Sequence, residues 1–135
     1  LCFHYYTEAC LLTDSEYKEE GISEKEAYDL VDKLRAIGSH SVLITSCIVE
    51  GQHAVVGFNH LTEEYFLLPY EEIPVQFPGT GDIFSSIIVG RLKDGDHLRH
   101  ATRIAMDTLR NWIDINKDDK DKNRGIPIER HLGDL

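Results

Sequence analysis

Residues 77–86, reading Phe-Pro-Gly-Thr-Gly-Asp-Ile-Phe-Ser-Ser, constrain this chain more than any other stretch. They join a β-rich segment to an apolar helix through two glycines flanking a threonine, and they put Asp82 in or beside the first turn of that helix. Glycine lets a backbone approach a ligand closely, and N–H groups at a helix start have no intrahelical acceptor, so such a turn can bind a phosphate oxygen. An aspartate beside that anion hole would be repelled by the same anion unless it did something further, such as take the proton of an alcohol attacking phosphorus. The same residues also suit an ordinary loop and cap, with Asp82 complementing the helix dipole. Both readings stand on these residues alone.

The chain around this turn reads as alternating helices and strands. Residues 1–3 look like the end of a strand and 6–13 a short helix, followed by a polar loop over 14–21. Ser23 with Glu26 forms a capping box, after which Ala27, Leu30, Val31, Leu34 and Ile37 recur at helical spacing until Gly38 stops the helix. Residues 41–49 are an apolar strand interrupted by Thr45 and Ser46. A helix followed by an apolar strand predicts an α/β fold with helices packed on a parallel sheet, whose strand C-termini are where such sheets bind ligands. The two hydroxyls equally suit neighbouring backbone groups.

Two further strands follow over 53–60 and 64–69, joined through Asn59, His60, Leu61 and Thr62, and Pro69, Pro74 and Pro78 keep the approach to the glycine turn extended. From 80 to 93 the spacing predicts a buried helix with Ile83, Phe84, Ile87, Ile88 and Leu92 apolar, and Ser85, Ser86 and Gly90 allowing close packing. Asp96 is expected to cap a second long helix with Leu98, Ala101, Ile104, Ala105, Leu109, Trp112 and Ile113 inside. His97 and His100 have a spacing that suits a metal but lack a third ligand, and read as surface histidines. Dense mixed charge over 114–124 predicts a mobile surface segment, and 125–135 has enough apolar residues to fold back onto the body.

Composition narrows the function classes. The formal charge of −10 repels nucleic acid and anionic membranes, so neither is an expected partner, and any phosphate site must rely on local backbone donors and a divalent cation. Cys2, Cys10 and Cys47 are odd in number with no Cys-x-x-Cys spacing, which reads as reduced thiols. With no apolar run of membrane-spanning length and no visible signal peptide, a cytoplasmic setting is expected.

Gly-Thr-Gly-Asp followed by Ile-Phe-Ser-Ser-Ile-Ile-Val-Gly resembles the signature of the ribokinase-like superfamily, and within it the chain looks most like pyridoxal or pyridoxamine kinases. The resemblance implies part of a three-layer sandwich, with a central, mostly parallel sheet, a hairpin and flanking helices. It also implies a single domain over 1–135 that corresponds to the C-terminal, nucleotide-binding half of such a kinase. Asp82 would be the catalytic base, and the backbone of Gly79, Thr80 and Gly81, together with the Asp82 N–H, the anion hole. Thr45 and Ser46 match a Thr-Ser pair that lies along the nucleotide phosphates. Phe77 matches an apolar residue against the adenine, though it also suits a plain core aromatic.

The family's Thr-Pro-Asn-x-x-Glu appears here as Phe3-His4-Tyr5-Tyr6-Thr7-Glu8. Glu8 would therefore hold Mg2+ through water, or else be an exposed helix-start carboxylate, while the family's asparagine is Tyr5.

The implied activity is transfer of the ATP γ-phosphoryl group to the hydroxymethyl group of a B6 vitamer. The alternatives are a hydroxymethylpyrimidine kinase of the same superfamily and a non-catalytic nucleotide-binding or interaction module. The opening Leu1-Cys2-Phe3, without an initiator methionine, reads as a strand entered part-way, and family members are about twice this long. Little of the vitamer pocket is then expected in this chain, and turnover by the chain alone is not expected. An exposed sheet edge predicts a homo-oligomer or pairing with a missing N-terminal segment.

Overall fold

The computed structural model describes residues 1–38, 40–72, 77–119 and 122–135. They form two units, Leu1–Glu72 and Ile73–Leu135.

In the first unit, strand β1 (Cys2–Tyr5) runs straight into helix α1 (Tyr6–Thr13), and helix α2 (Glu24–Ala36) leads to strands β2 (Val42–Val49), β3 (Gln52–Asn59) and β4 (Glu64–Pro69). The Ser23 capping box forms: Ser23 Oγ accepts from the Glu26 N–H at 3.1 Å, and Glu26 Oε1 accepts from the Ser23 N–H at 3.2 Å. Ala27, Leu30, Val31 and Leu34 are buried as their spacing predicts, but Ile37 is 63% exposed because the helix has already ended at Ala36. The turn after β3 is fixed by Asn59, whose Oδ1 accepts from the Leu61 N–H at 3.0 Å.

The sheet order is β1-β2-β3-β4, with β1 parallel to β2 and the other two pairs antiparallel. The mixed α/β class and the hairpin are as expected, while among the strands parallel pairing is confined to β1 and β2, with one further parallel bridge between Ile22 and Val49. Opposite the single residue Val55, β2 carries both Thr45 and Ser46, and Ser46 takes φ +60°. This is a β-bulge, and it resets the alternation of faces. Val42 and Ile44 before it, and Cys47 and Val49 after it, therefore share one buried cluster with Ala54, Val56 and Phe58 of β3 and with α1 and α2. Without the extra residue, Cys47 and Val49 would face the other way. The opposite face carries Leu43, Val55, Phe66 and Leu68, also buried.

In the second unit, helix α3 (Thr80–Lys93) packs on helix α4 (Leu98–Asn116), and short 3-10 turns follow at Lys122–Arg124, Ile128–Arg130 and Leu132–Asp134. Phe84, Ile87 and Ile88 are buried, but Gly90 is exposed with open space where a side chain would be, so it is not a packing glycine. Ser85 and Ser86 turn their hydroxyls back to the carbonyls of Gly81 (2.9 Å) and Asp82 (2.7 Å). Asp96 does not cap α4: the residue before the helix is His97, with no side-chain cap bond, and Asp96 Oδ2 instead pairs with Arg91 Nε at 2.6 Å. A carboxylate one residue too early for the cap finds a guanidinium on the preceding helix.

Residues 114–116 are the last turn of α4 and 122–124 a 3-10 turn, so regular structure reaches further into the charged stretch than its composition suggests; residues 120 and 121 lie outside the described residues. Pro74 also lies outside them, and Pro78 already belongs to the turn that it precedes in sequence. Among the described residues no helix is long and apolar enough to cross a membrane.

Candidate active site

The glycine turn takes the form that its sequence demands. Gly79 is the residue before α3 and adopts φ +80°, ψ 7°, a left-handed conformation that a side chain would disfavour. Its carbonyl accepts the first helical bond, from the Ile83 N–H at 3.1 Å. The N–H groups of Thr80, Gly81 and Asp82 therefore precede the helical ladder, and among the described residues none of them has an intramolecular acceptor. Gly79 and Asp82 are exposed, Thr80 and Gly81 half-buried. Convergent free donors at the positive end of a helix suit a phosphate oxygen, with the Asp82 carboxylate in the same turn. Phe77, two residues before, is 5% exposed.

The first unit gathers the remaining candidates at one end of its parallel strand pair. Tyr5, the last residue of β1, is in register with Thr45, the first residue of the bulge. Glu8 sits in the first turn of α1, and its Oε2 accepts from the Tyr5 N–H at 3.0 Å. Thr45 is half-buried and Ser46 exposed. Glu8, Thr45 and Ser46 thus meet at the C-terminal edge of the β1–β2 pair, where parallel sheets bind ligands.

Sequence reasoning missed three things here. Glu8 caps α1, so part of its carboxylate is already engaged. The bulge holds Ser46 in a backbone region that serine rarely adopts; two adjacent hydroxyls inside an apolar run were its only visible signal. Tyr70 reaches Ser46 from beyond β4: burial, then the charge of Glu72, push its phenol upward, and a hydrogen bond with the Ser46 side chain opposes them. Tyr70 also lies 5.7 Å from the His53 ring, and His53 Nε2 is 3.1 Å from Glu72 Oε2. Nothing in the local pattern of residues 70–72 announces this set.

Among the described residues no three His, Cys, Asp or Glu side chains gather as a metal site. What remains is the one carboxylate of Glu8, beside Tyr5, which is 49% exposed and offers a phenol in place of an amide. That donor set does not hold a bare ion, but it fits an ion that keeps its waters and is carried by nucleotide phosphates. His97 and His100 are exposed, as expected.

A Gly-Thr-Gly-Asp helix start together with a mixed α/β sheet and flanking helices defines a protein of the ribokinase-like superfamily, similar to pyridoxal kinases. The chain belongs to the phosphomethylpyrimidine kinase family, whose sequence profile matches residues 6–126. It is 29% identical over 132 residues to a pyridoxal kinase of Arabidopsis thaliana, an alignment covering 86% of this chain and 43% of that protein. Its fold matches a Bacteroides thetaiotaomicron protein provisionally named a phosphomethylpyrimidine kinase and crystallised with pyridoxal, with a TM-score of 0.85 and 30% identity over 98% of this chain and 47% of that one. It also matches the fold of a Lactobacillus plantarum pyridoxal kinase, with a TM-score of 0.79 and 20% identity over 98% and 47% of the two chains. The chain thus spans a little under half the length of the relatives it matches.

Proposed function

We propose that the protein, at the length of its relatives, is an ATP-dependent kinase that phosphorylates the hydroxymethyl group of pyridoxal, pyridoxamine or pyridoxine, in the cytoplasm. The observation that carries this reading is the turn itself: left-handed Gly79 followed by the N–H groups of Thr80, Gly81 and Asp82, which have no acceptor among the described residues, in a chain of a kinase family. The Asp82 carboxylate takes the proton of the substrate hydroxyl as its oxygen bonds to the γ-phosphorus. The bond from that phosphorus to the bridging oxygen breaks, and its electron pair leaves with ADP. The turn's N–H groups hold the charge on the equatorial oxygens during transfer. The Thr45 and Ser46 hydroxyls steady the phosphates, with Phe77 on the adenine side. Glu8 orients the waters of Mg2+, an ion that offsets phosphate charge when bound.

A second acceptor is favoured by a specific finding. The family profile and the Bacteroides relative both carry the phosphomethylpyrimidine name, so hydroxymethylpyrimidine is the alternative alcohol. Self-association is proposed as well. β1 is an edge strand among the described residues, and Leu1, Leu11 and Leu12 near it are 44%, 83% and 55% exposed.

Calorimetric titration of this chain with Mg–ATP tests the reading, with Gly81→Val and Asp82→Asn beside it. Saturable binding that Gly81→Val abolishes and Asp82→Asn keeps is expected, followed by a loss of about 10²–10⁴ in transfer rate for Asp82→Asn in the full-length form. Absence of binding by the wild-type chain would favour a non-catalytic interaction module, a reading to which Tyr5 in place of the family's asparagine also points. Side-by-side transfer to pyridoxal and to hydroxymethylpyrimidine decides the acceptor.

A further inference from the structure

Residues 125–135 have no part in the chemistry above, yet the structure seats them firmly on α4. His131, 8% exposed, stacks on Trp112 with ring centroids 5.1 Å apart and planes 21° from parallel. The Asn116 amide donates to the Trp112 carbonyl at 2.8 Å and lies 2.9 Å from His131 Nε2. Asp134 Oδ2 accepts from Trp112 Nε1 at 3.0 Å and sits 3.6 Å from His131 Nδ1. Indole, imidazole, amide and carboxylate satisfy one another, and removing one member leaves buried polar partners behind.

The other end of this stretch meets the glycine turn. Gly125 has φ +76°, and a Cβ there would fall 2.9 Å from the Pro78 carbonyl oxygen, so backbone bears on backbone. That carbonyl belongs to the peptide whose N–H is that of Gly79, the left-handed residue that aims the start of α3. Ile126, next along, is buried. Glycine adopts many conformations with similar ease, and unpaired donors gain nothing by staying aligned in the absence of an anion. Gly79 alone does not fix the turn.

We propose that residues 125–134 are a clasp that holds the Pro78–Gly79 peptide, and with it the N–H groups of Thr80, Gly81 and Asp82, in anion-binding geometry, with Gly125 and His131 as its positioning residues. The clasp deepens the phosphate-binding reading of this turn and rests on it for its purpose. Preorganised donors cost no ordering when the anion arrives.

Hydrogen exchange of the ligand-free chain reads the clasp at the Ile83 amide, which bonds to the Gly79 carbonyl. His131→Ala is expected to speed exchange at residues 83–85 about tenfold while residues 89–93 of the same helix keep their protection. His131→Phe, which keeps the stack on Trp112, should restore part of it. Gly125→Ala, which leaves the Trp112 set intact and crowds Pro78, should also speed exchange at residues 83–85, even if His131→Ala fails to fold. Titration with Mg–ATP is expected to show about tenfold weaker binding for each. Wild-type exchange at residues 83–85 in Gly125→Ala would overturn the proposal, as would wild-type exchange there in His131→Ala while Ile128–Arg130 exchanges freely. Faster exchange at residues 83–85 with no Mg–ATP binding by any form, the wild type included, would leave the clasp standing and remove the nucleotide reading instead.

Discussion

Ser46 tests whether the bulge is a held feature and whether its hydroxyl serves the nucleotide. Its φ of +60° inside β2 puts a side chain where L residues are disfavoured by roughly 1–2 kcal/mol. Glycine escapes that cost but loses about 0.5–1 kcal/mol more chain entropy on folding. Ser46→Gly and Ser46→Ala both lack the hydroxyl, so their difference isolates the backbone. The glycine variant should be the more stable by up to about 1.5 kcal/mol, at roughly 3–5 °C per kcal/mol in the midpoint of thermal unfolding followed by circular dichroism. On the proposed function both should lose a hydroxyl contact with phosphate, a net of about 0.5–1.5 kcal/mol, which is roughly two- to tenfold weaker Mg–ATP binding. An alanine variant clearly more stable than the glycine one would refute the left-handed backbone at position 46. Unchanged nucleotide affinity in both would refute the role of the hydroxyl while leaving the bulge intact.

Two further outcomes follow from the packing and titration of the first unit. At Gly57 a Cβ would fall 2.4 Å from Phe66 Cζ and 2.7 Å from Leu43 Cδ2, so Gly57→Ala should cost about 1–3 kcal/mol in urea unfolding, and Phe66→Leu on that background should return part of it. Burial pushes the Cys47 thiol up to about 12 from its ordinary 9.0, so across that window the unfolded chain has released a proton that the folded chain still holds. Stability should therefore be constant below pH 9 on this account and fall as pH rises toward 12; urea midpoints measured through that range should decline less steeply in Cys47→Ala.

Local rules were enough for the elements whose determinants are local. The short helix Tyr6–Thr13 and the helix Thr80–Lys93 fall at the limits read from sequence, and Ser23 with Glu26 fixes the start of α2 within four residues. Errors arose where a distant partner decides. Asp96 is a good capping residue by type, but Arg91 claims it. Gly90 suggested close packing, yet its position on α3 faces open space. Ile37 continued the apolar period past the point where the helix ends. The tail was expected to fold back, but its attachment required Trp112, Asn116, His131 and Asp134 to meet from two separate stretches.

The site divides along the same line. Gly79 and Asp82 are legible because glycine in a left-handed turn and a carboxylate in the first helical turn are local choices. Tyr70 is not, because only pairing of β3 with β4 carries it toward a bulge on β2. Both left-handed residues among the candidates, Gly79 and Ser46, stand where the sequence departs from its regular period. The Ser46 bulge also meets Tyr70, and the Pro78–Gly79 peptide also meets Gly125, so each of these bends has a distant neighbour as well as a local cause, and Ser46→Gly and Gly125→Ala are each expected to act on their own turn through the backbone.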